Sequence, residues 1–223
     1  MREFNSNSES LKIRETKETE INNKATENIT NKKFYLLNEL IRPIFNPEVV
    51  NEELQGILEN SMLKAKSFEE KKEMSPQLLG DLSERLVLRM FAGTGIGEIV
   101  KLKVNQEAGN HTADCLLKLH KPLSFNGKIF SPGQKIIIEV KNGETDYVYR
   151  ELKDTESHAR MQLKETIKRE NADAMVCFAS RECQNYPELF SRIREDLKSE
   201  NIFLNLCLPE KKRLNTYAEK LKN

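Results

Sequence analysis

Asp114, Glu139 and Lys141 are the side chains of this sequence best suited to holding and using a divalent cation. Two of them close the run Ile136-Ile137-Ile138-Glu139-Val140-Lys141, whose β-branched residues read as a buried strand. Side chains alternate faces along a strand, so Glu139 and Lys141 point the same way, roughly 6–7 Å apart at about 3.3 Å rise per residue. A strand this apolar normally has both faces covered, and two formal charges at its end are costly there unless something uses them. Glu-x-Lys by itself is cheap in a chain with 32% charged residues, and it also starts at Glu15, Glu69, Glu70, Glu151 and Glu210. Those copies lie in polar tails or helix-like stretches, as solvated charges or weak local ion pairs. Only the copy at Glu139 follows a β-branched run with a suitable carboxylate upstream.

That carboxylate is Asp114, in the segment Thr112 to Leu119, which reads as a second strand with a polar start. Between the two lie Pro122, Asn126-Gly127 and Pro132-Gly133, turn signals at hairpin-like spacing. Asp114 and Glu139 are therefore expected on neighbouring antiparallel strands, close enough to share a cation.

Two carboxylates with a lysine two residues after the second resemble the PD-(D/E)XK nuclease superfamily, over roughly Gln77 to Arg181. The order also matches: a helix with Glu84, a strand, the Asp114 strand, the Glu139-Val140-Lys141 strand, a helix, a strand. Ala113 stands where that pattern often has proline. The resemblance implies a restriction-endonuclease-like fold and Mg²⁺-dependent hydrolysis of phosphodiester bonds in DNA, with Mn²⁺ as a substitute ion and RNA as the other substrate class. It implies that Asp114 and Glu139 hold the principal ion with the Val140 carbonyl as third ligand, and that Glu84 binds or orients a second. Magnesium's preference for oxygen ligands suits this set. Lys141 would orient water or stabilise the transition state if charged, or accept a proton if neutral. Gln162, or His158 one turn earlier, would reach substrate or water from the helix that follows; the plain alternative is a surface helix docked through Met161 and Ile167.

Other chemistries account for less. Glycoside hydrolysis also uses two acids, but it leaves Lys141 without a role, and the chain has no Trp to stack sugars. The three histidines, His111, His120 and His158, have no associated nucleophile motif, and alternation would put His111 and Asp114 on opposite strand faces. Gly93-Thr94-Gly95-Ile96-Gly97 follows a helix and opens a strand, the reverse of a dinucleotide loop, so Gly93 reads as a helix C-cap. The runner-up from another class is a nuclease-like fold kept as a nucleic-acid or protein interaction module without catalysis.

The 223 residues fit one ordinary domain plus extensions. Residues 1–33 are polar and expected to stay disordered. Residues 34–75 form a helical extension that packs on the core or on a partner, either a second copy or another protein. Residues 76–208 form the nuclease-like domain, an α/β fold with a mixed central sheet flanked by helices, and residues 209–223 form a basic tail. The strand of Glu98 to Val104 would carry Lys101 and Lys103 on one face, a helix would run from about Asp154 to Glu170, and the strand of Ala172 to Ser180 would be reached by a parallel crossover. No run has the length of a membrane span, and Cys115, Cys177, Cys183 and Cys207 lack metal-finger spacing, so a cytoplasmic protein with reduced thiols is expected. Net charge is only +1. That weighs against a nonspecific nucleic-acid coat protein but not against a nuclease, whose acidic site offsets basic residues elsewhere.

Overall fold

The computed structural model describes residues 35–36, 45–104, 113–154 and 158–220, all within the unit Tyr35–Asn223. In chain order these form β1 (Tyr35–Leu36), α1 (Pro47–Glu59), α2 (Met62–Lys71), α3 (Pro76–Thr94), β2 (Gly97–Val104), β3 (Ala113–Leu119), β4 (Leu123–Phe125), β5 (Lys128–Phe130) and β6 (Lys135–Lys141). Then follow α4 (Thr145–Lys153), α5 (His158–Arg169), β7 (Ala174–Ser180), a short 3₁₀ helix (Arg181–Asn185), α6 (Pro187–Ser199), β8 (Ile202–Leu208) and α7 (Lys211–Lys220). The expected disorder of residues 1–33 lies outside the described residues, as do His111, Thr112 and the His158 side chain.

Every residue of β7 and β8 is buried, and β3 and β6 are nearly as continuous, which is the signature of strands covered on both faces. They form a mixed five-stranded sheet of order β2-β3-β6-β7-β8, antiparallel from β2 to β6 and parallel from β6 to β8. Alternation sorts its side chains into two layers. Cys115, Leu117, Ile136, Ile138, Val176, Phe178 and Phe203 face α1, α3 and α7; Leu116, Ile137, Met175, Cys177 and Leu204 face α4, α5 and α6. The hairpin signals produce β4 and β5, joined through Asn126 and Gly127 at φ 45° and 75° and extended by β1 into a small second sheet.

The structure departs from the sequence reading in several places. Between β6 and the helix expected from about Asp154, α4 starts at Thr145 because Val148 and Leu152, four residues apart, bury on one side of a turn of helix. The helix expected from about Asp154 to Glu170 is α5, His158–Arg169, and α4 before it is an additional helix that the sequence reading did not include. Gly93 lies inside α3, and the left-handed cap is Gly95 at φ 59°. Gly97 is required because any Cβ there would collide with the Lys118 carbonyl of the paired strand, so this glycine serves a close strand approach and not a phosphate. Beyond β8, α7 buries Leu214 and Ala218, while α1 buries Val50, Leu54 and Ile57 in the same layer. Within the expected helical extension α1 therefore packs on the core, whereas Tyr35–Leu36 near its start is a strand and not a helix, because it pairs with β4. All four cysteines are buried and free, and no helix of the described residues is long and apolar enough to cross a membrane.

One charge lies deep in the second layer. Arg160 is fully buried on α5, where its guanidinium donates to Glu200 at 3.0 and 3.1 Å and to the Leu152 carbonyl at 3.2 Å, joining α4, α5 and the end of α6. Removing one member of such a pair leaves the other charge inadequately compensated in a low-dielectric setting. Glu200→Ala should therefore lower unfolding free energy by about 3 kcal/mol in urea titration, a loss that an exposed surface pair would not produce.

Candidate active site

The last pair of the antiparallel ladder of β3 and β6 is Cys115 with Ile138; extending that register by one step places Asp114 beside Glu139, whose charge acts on it. Leu116 and Ile137 point into the layer under α4, α5 and α6. By alternation Asp114, Glu139 and Lys141 lie on that same face, the first two on adjacent strands and the last two on one. The ladder ends here in a specific way: the Val140 N–H is taken by the Asp114 carboxylate, with Oδ2 at 2.7 Å. Since the N–H and C=O of a strand residue point to the same side, the Val140 carbonyl also faces β3.

Two lysines neutralise part of this charge. Lys141 Nζ lies 3.0 Å from Glu139 Oε1. Lys103, on β2, contacts Glu84 of α3 and lies 3.3 Å from Asp114 Oδ1. Glu84, Asp114, Glu139 and Lys141 are thereby linked by their position on neighbouring strands and by two ammonium groups. Gln162 is buried on α5, which covers the same face of the sheet. Beside Lys141 opens a cavity of about 540 Å³, lined among others by Leu79, Val140, Tyr147, Ser180 and Lys211.

Burial and like charge act together on Asp114. Desolvation first, then the Glu139 and Glu84 carboxylates, push its pKa up to about 7, against the smaller opposing effects of Lys103 and the Val140 N–H. For Lys141, burial disfavours the charge, but attraction to Glu139 and the hydrogen bond with it outweigh burial and raise the pKa above its ordinary value. Lys141 is a cation in this state. Among the described residues no three His, Cys, Asp or Glu side chains are gathered as a ready metal cage. Lys103 and Lys141 hold the three acids in pairs with ammonium groups instead. The Cys115 thiol on β3 is pushed up to about 12, by burial and by Asp114 and Glu84, so it is inert as a nucleophile.

Comparisons with protein-family models, curated proteins and solved structures returned no match.

Two residues of the site escaped the sequence reading. Lys103 was expected only to share a strand face with Lys101; a left-handed backbone at Lys103, φ 48°, and a register shift between Ile99 and Lys101 make this end of β2 irregular. Lys101 goes to Glu170 at 3.0 Å and Lys103 goes to the acids. Asn142, to which the sequence reading gave no role, is buried and donates to Ser83 Oγ at 2.6 Å and to the Pro209 carbonyl at 3.2 Å. It ties the residue after Lys141 to the residue before Glu84, which fixes α3 against the end of β6.

An acid whose pKa is raised on folding destabilises the folded state when it ionises. Below about pH 4 both states hold the Asp114 proton. As pH rises from about 4 to 7 the unfolded chain loses it first, so stability falls across that window and stays reduced above it. Asp114→Asn should therefore stabilise the metal-free chain at pH 8 by roughly 1–3 kcal/mol and have little effect at pH 4, as read by urea unfolding at the two pH values.

Proposed function

We propose that this chain is a Mg²⁺-dependent nuclease of the PD-(D/E)XK kind, with a restriction-endonuclease-like core, that hydrolyses phosphodiester bonds in DNA. One observation carries the reading: Asp114 and Glu139 stand side by side on one face of β3 and β6, with the Lys141 ammonium 3.0 Å from Glu139. The element order supports it, since α3 with Glu84, then β2, β3, β6, α5 and β7 follow one another as in the resembled pattern.

The donor set fits a hard dication. Three carboxylates, Glu84, Asp114 and Glu139, meet only two ammonium groups, and Asp114 is pushed up to about 7 by burial first and by the neighbouring carboxylates second. Asp114 and Glu139 would hold Mg²⁺, or Mn²⁺ in its place, with the Val140 carbonyl as a third oxygen and Glu84 binding or orienting a second ion. When bound, such an ion supplies Lewis-acid stabilisation of phosphoryl oxygens and a more acidic water. The chain's own residues supply orientation and charge. Lys141, held as a cation against Glu139 in the metal-free chain, would donate to the attacking water or to the developing negative charge on phosphorus-bound oxygen. Asp114 is fixed by the Val140 N–H, so it enters the site with one orientation. Gln162 is one of the polar residues buried on the covering helix α5, and is the one proposed to reach substrate or water.

A second reading has its own support. The Lys103 ammonium bridges Glu84 and Asp114, where a cation would otherwise balance them, and a chain using it permanently in that role would be a non-catalytic interaction module.

Incubation of linear, circular and single-stranded DNA, and of RNA, with Mg²⁺, Mn²⁺ or EDTA separates the two. The nuclease reading expects metal-dependent cleavage that Asp114→Ala and Glu139→Ala each reduce by about 10³-fold or more. Wild-type rates in either variant would mean the metal ligands are wrongly assigned, and no cleavage of any substrate would favour the module. Lys141→Ala should lower the cleavage rate by about 10²-fold while Mn²⁺ affinity stays within a few-fold, measured by calorimetry; an unchanged rate would remove Lys141 from the reaction.

A further inference from the structure

A second concave feature lies two strands from Lys141, at the β8 edge of the sheet. The register Lys141↔Ala179↔Leu206 puts Leu206 level with Lys141, about 10 Å away at roughly 4.8 Å per strand. There a cavity of about 710 Å³ is lined by Arg181, Arg194 and Arg213 together with Asn126, Gln184 and Asn205. The arginines come from three separate elements: the 3₁₀ helix, α6 and α7. No carboxylate lines the cavity, and none of the three arginines has an ion-pair partner among the described residues. In a chain of net charge +1, three uncompensated guanidinium groups around one hollow are a local excess that an anion would relieve.

Of the remaining polar lining, Asn205 is the group left to donate. Asn126 and Gln184 spend their amide N–H groups on the Leu204 and Leu206 carbonyls, which takes those edge acceptors of β8 out of the cavity. Asn205 is more than nine-tenths buried, and its Nδ2 has no hydrogen-bond partner among the described residues. A buried amide without a partner is costly and marks a place where an acceptor belongs. Arg213 is preset by a 2.6 Å bond from Nε to the Tyr217 hydroxyl and by stacking on that ring. Planar guanidinium groups meeting an anion from several directions match the tetrahedral oxygens of a phosphoryl group, which they bind in a bidentate manner.

We infer that this cavity is a phosphoryl-group site built by Arg181, Arg194, Arg213 and the Asn205 amide. Its source is either a backbone phosphate of a nucleic-acid strand that continues past Lys141 or a free phosphorylated small molecule. Only the strand alternative rests on the nuclease reading.

The test is calorimetric titration of the full chain without divalent ions, using inorganic phosphate, a nucleoside 5′-monophosphate and a short single-stranded DNA oligonucleotide. The comparison is Arg181→Gln/Arg194→Gln/Arg213→Gln, whose exposed positions leave the unfolding midpoint unchanged as a control for folding. Affinity should fall at least about tenfold in the variant. A fall for the oligonucleotide, with a shallower dependence of log affinity on log salt, assigns the site to a strand. A fall for the two small probes alone assigns it to a free phosphorylated ligand. Equal affinities of wild type and variant for all three probes, or no binding by the wild type, would overturn the inference. Because no metal is present, this result is independent of whether the acids cut: a chain that cleaves DNA but fails here loses only this site, and one that binds phosphate here but never cleaves loses only the nuclease reading.

Discussion

The constraint on which this molecule turns is the facing of two carboxylates, Asp114 and Glu139, on adjacent strands of a sheet covered on both sides. The register of the ladder, which ends at the Cys115 and Ile138 pair, leads the two acids toward each other. Like charges at that spacing under poor solvation repel, and the cost appears as an Asp114 carboxyl that resists ionisation up to about pH 7. A fold does not keep such an arrangement for stability, since apolar residues there would pack at lower cost. Balancing the charge is therefore the organising problem of the neighbourhood.

Much of the surrounding structure can be understood as its solution. Lys141 is held against Glu139, Lys103 against Asp114 and Glu84, and the Val140 N–H against the remaining Asp114 oxygen. Asn142 and Ser83 lock α3 to the end of β6, so the third acid keeps its distance from the other two without a direct bond between them. The apolar layers then supply rigidity. Phe91 and Phe178 meet edge to face at 6.2 Å between α3 and β7, and the buried Arg160 with Glu200 fastens the helices over the opposite face. The acids are thus set on strands and a packed helix and not on loops, which is what holding reacting groups in one geometry requires.

How far the sequence displayed this depends on whether the signal was local. The Ile136 to Lys141 strand was legible because three β-branched residues in a row leave few alternatives, and the hairpin signals between Pro122 and Gly133 fixed its antiparallel relation to the Asp114 strand. Glu84 could be placed because Leu79, Leu82, Leu86 and Met90 mark a helix with that residue off the apolar stripe. Lys103 was not legible, since its reach to the acids depends on a left-handed residue and a register shift in an edge strand. Asn142 was hidden for a related reason: Asn-Gly is a turn signal, and nothing local says that the side chain is buried beneath the turn. The helix α4 was obscured by the polarity of its first turn. The cluster of Arg181, Arg194, Arg213 and Asn205 had no sequence signature, because four successive elements contribute one residue each, at spacings that follow no single helix or strand period.

The central claim is that the Asp114 and Glu139 pair is held together for a divalent cation, and calorimetric titration of Mn²⁺ at pH 6 and pH 8.5 in buffers of different ionisation enthalpy tests it most directly. The account predicts binding at both pH values, tighter at pH 8.5, with a proton released into the buffer at pH 6 as Asp114 ionises and almost none at pH 8.5. Absence of binding, or binding with the same affinity and no proton release at pH 6, would contradict it.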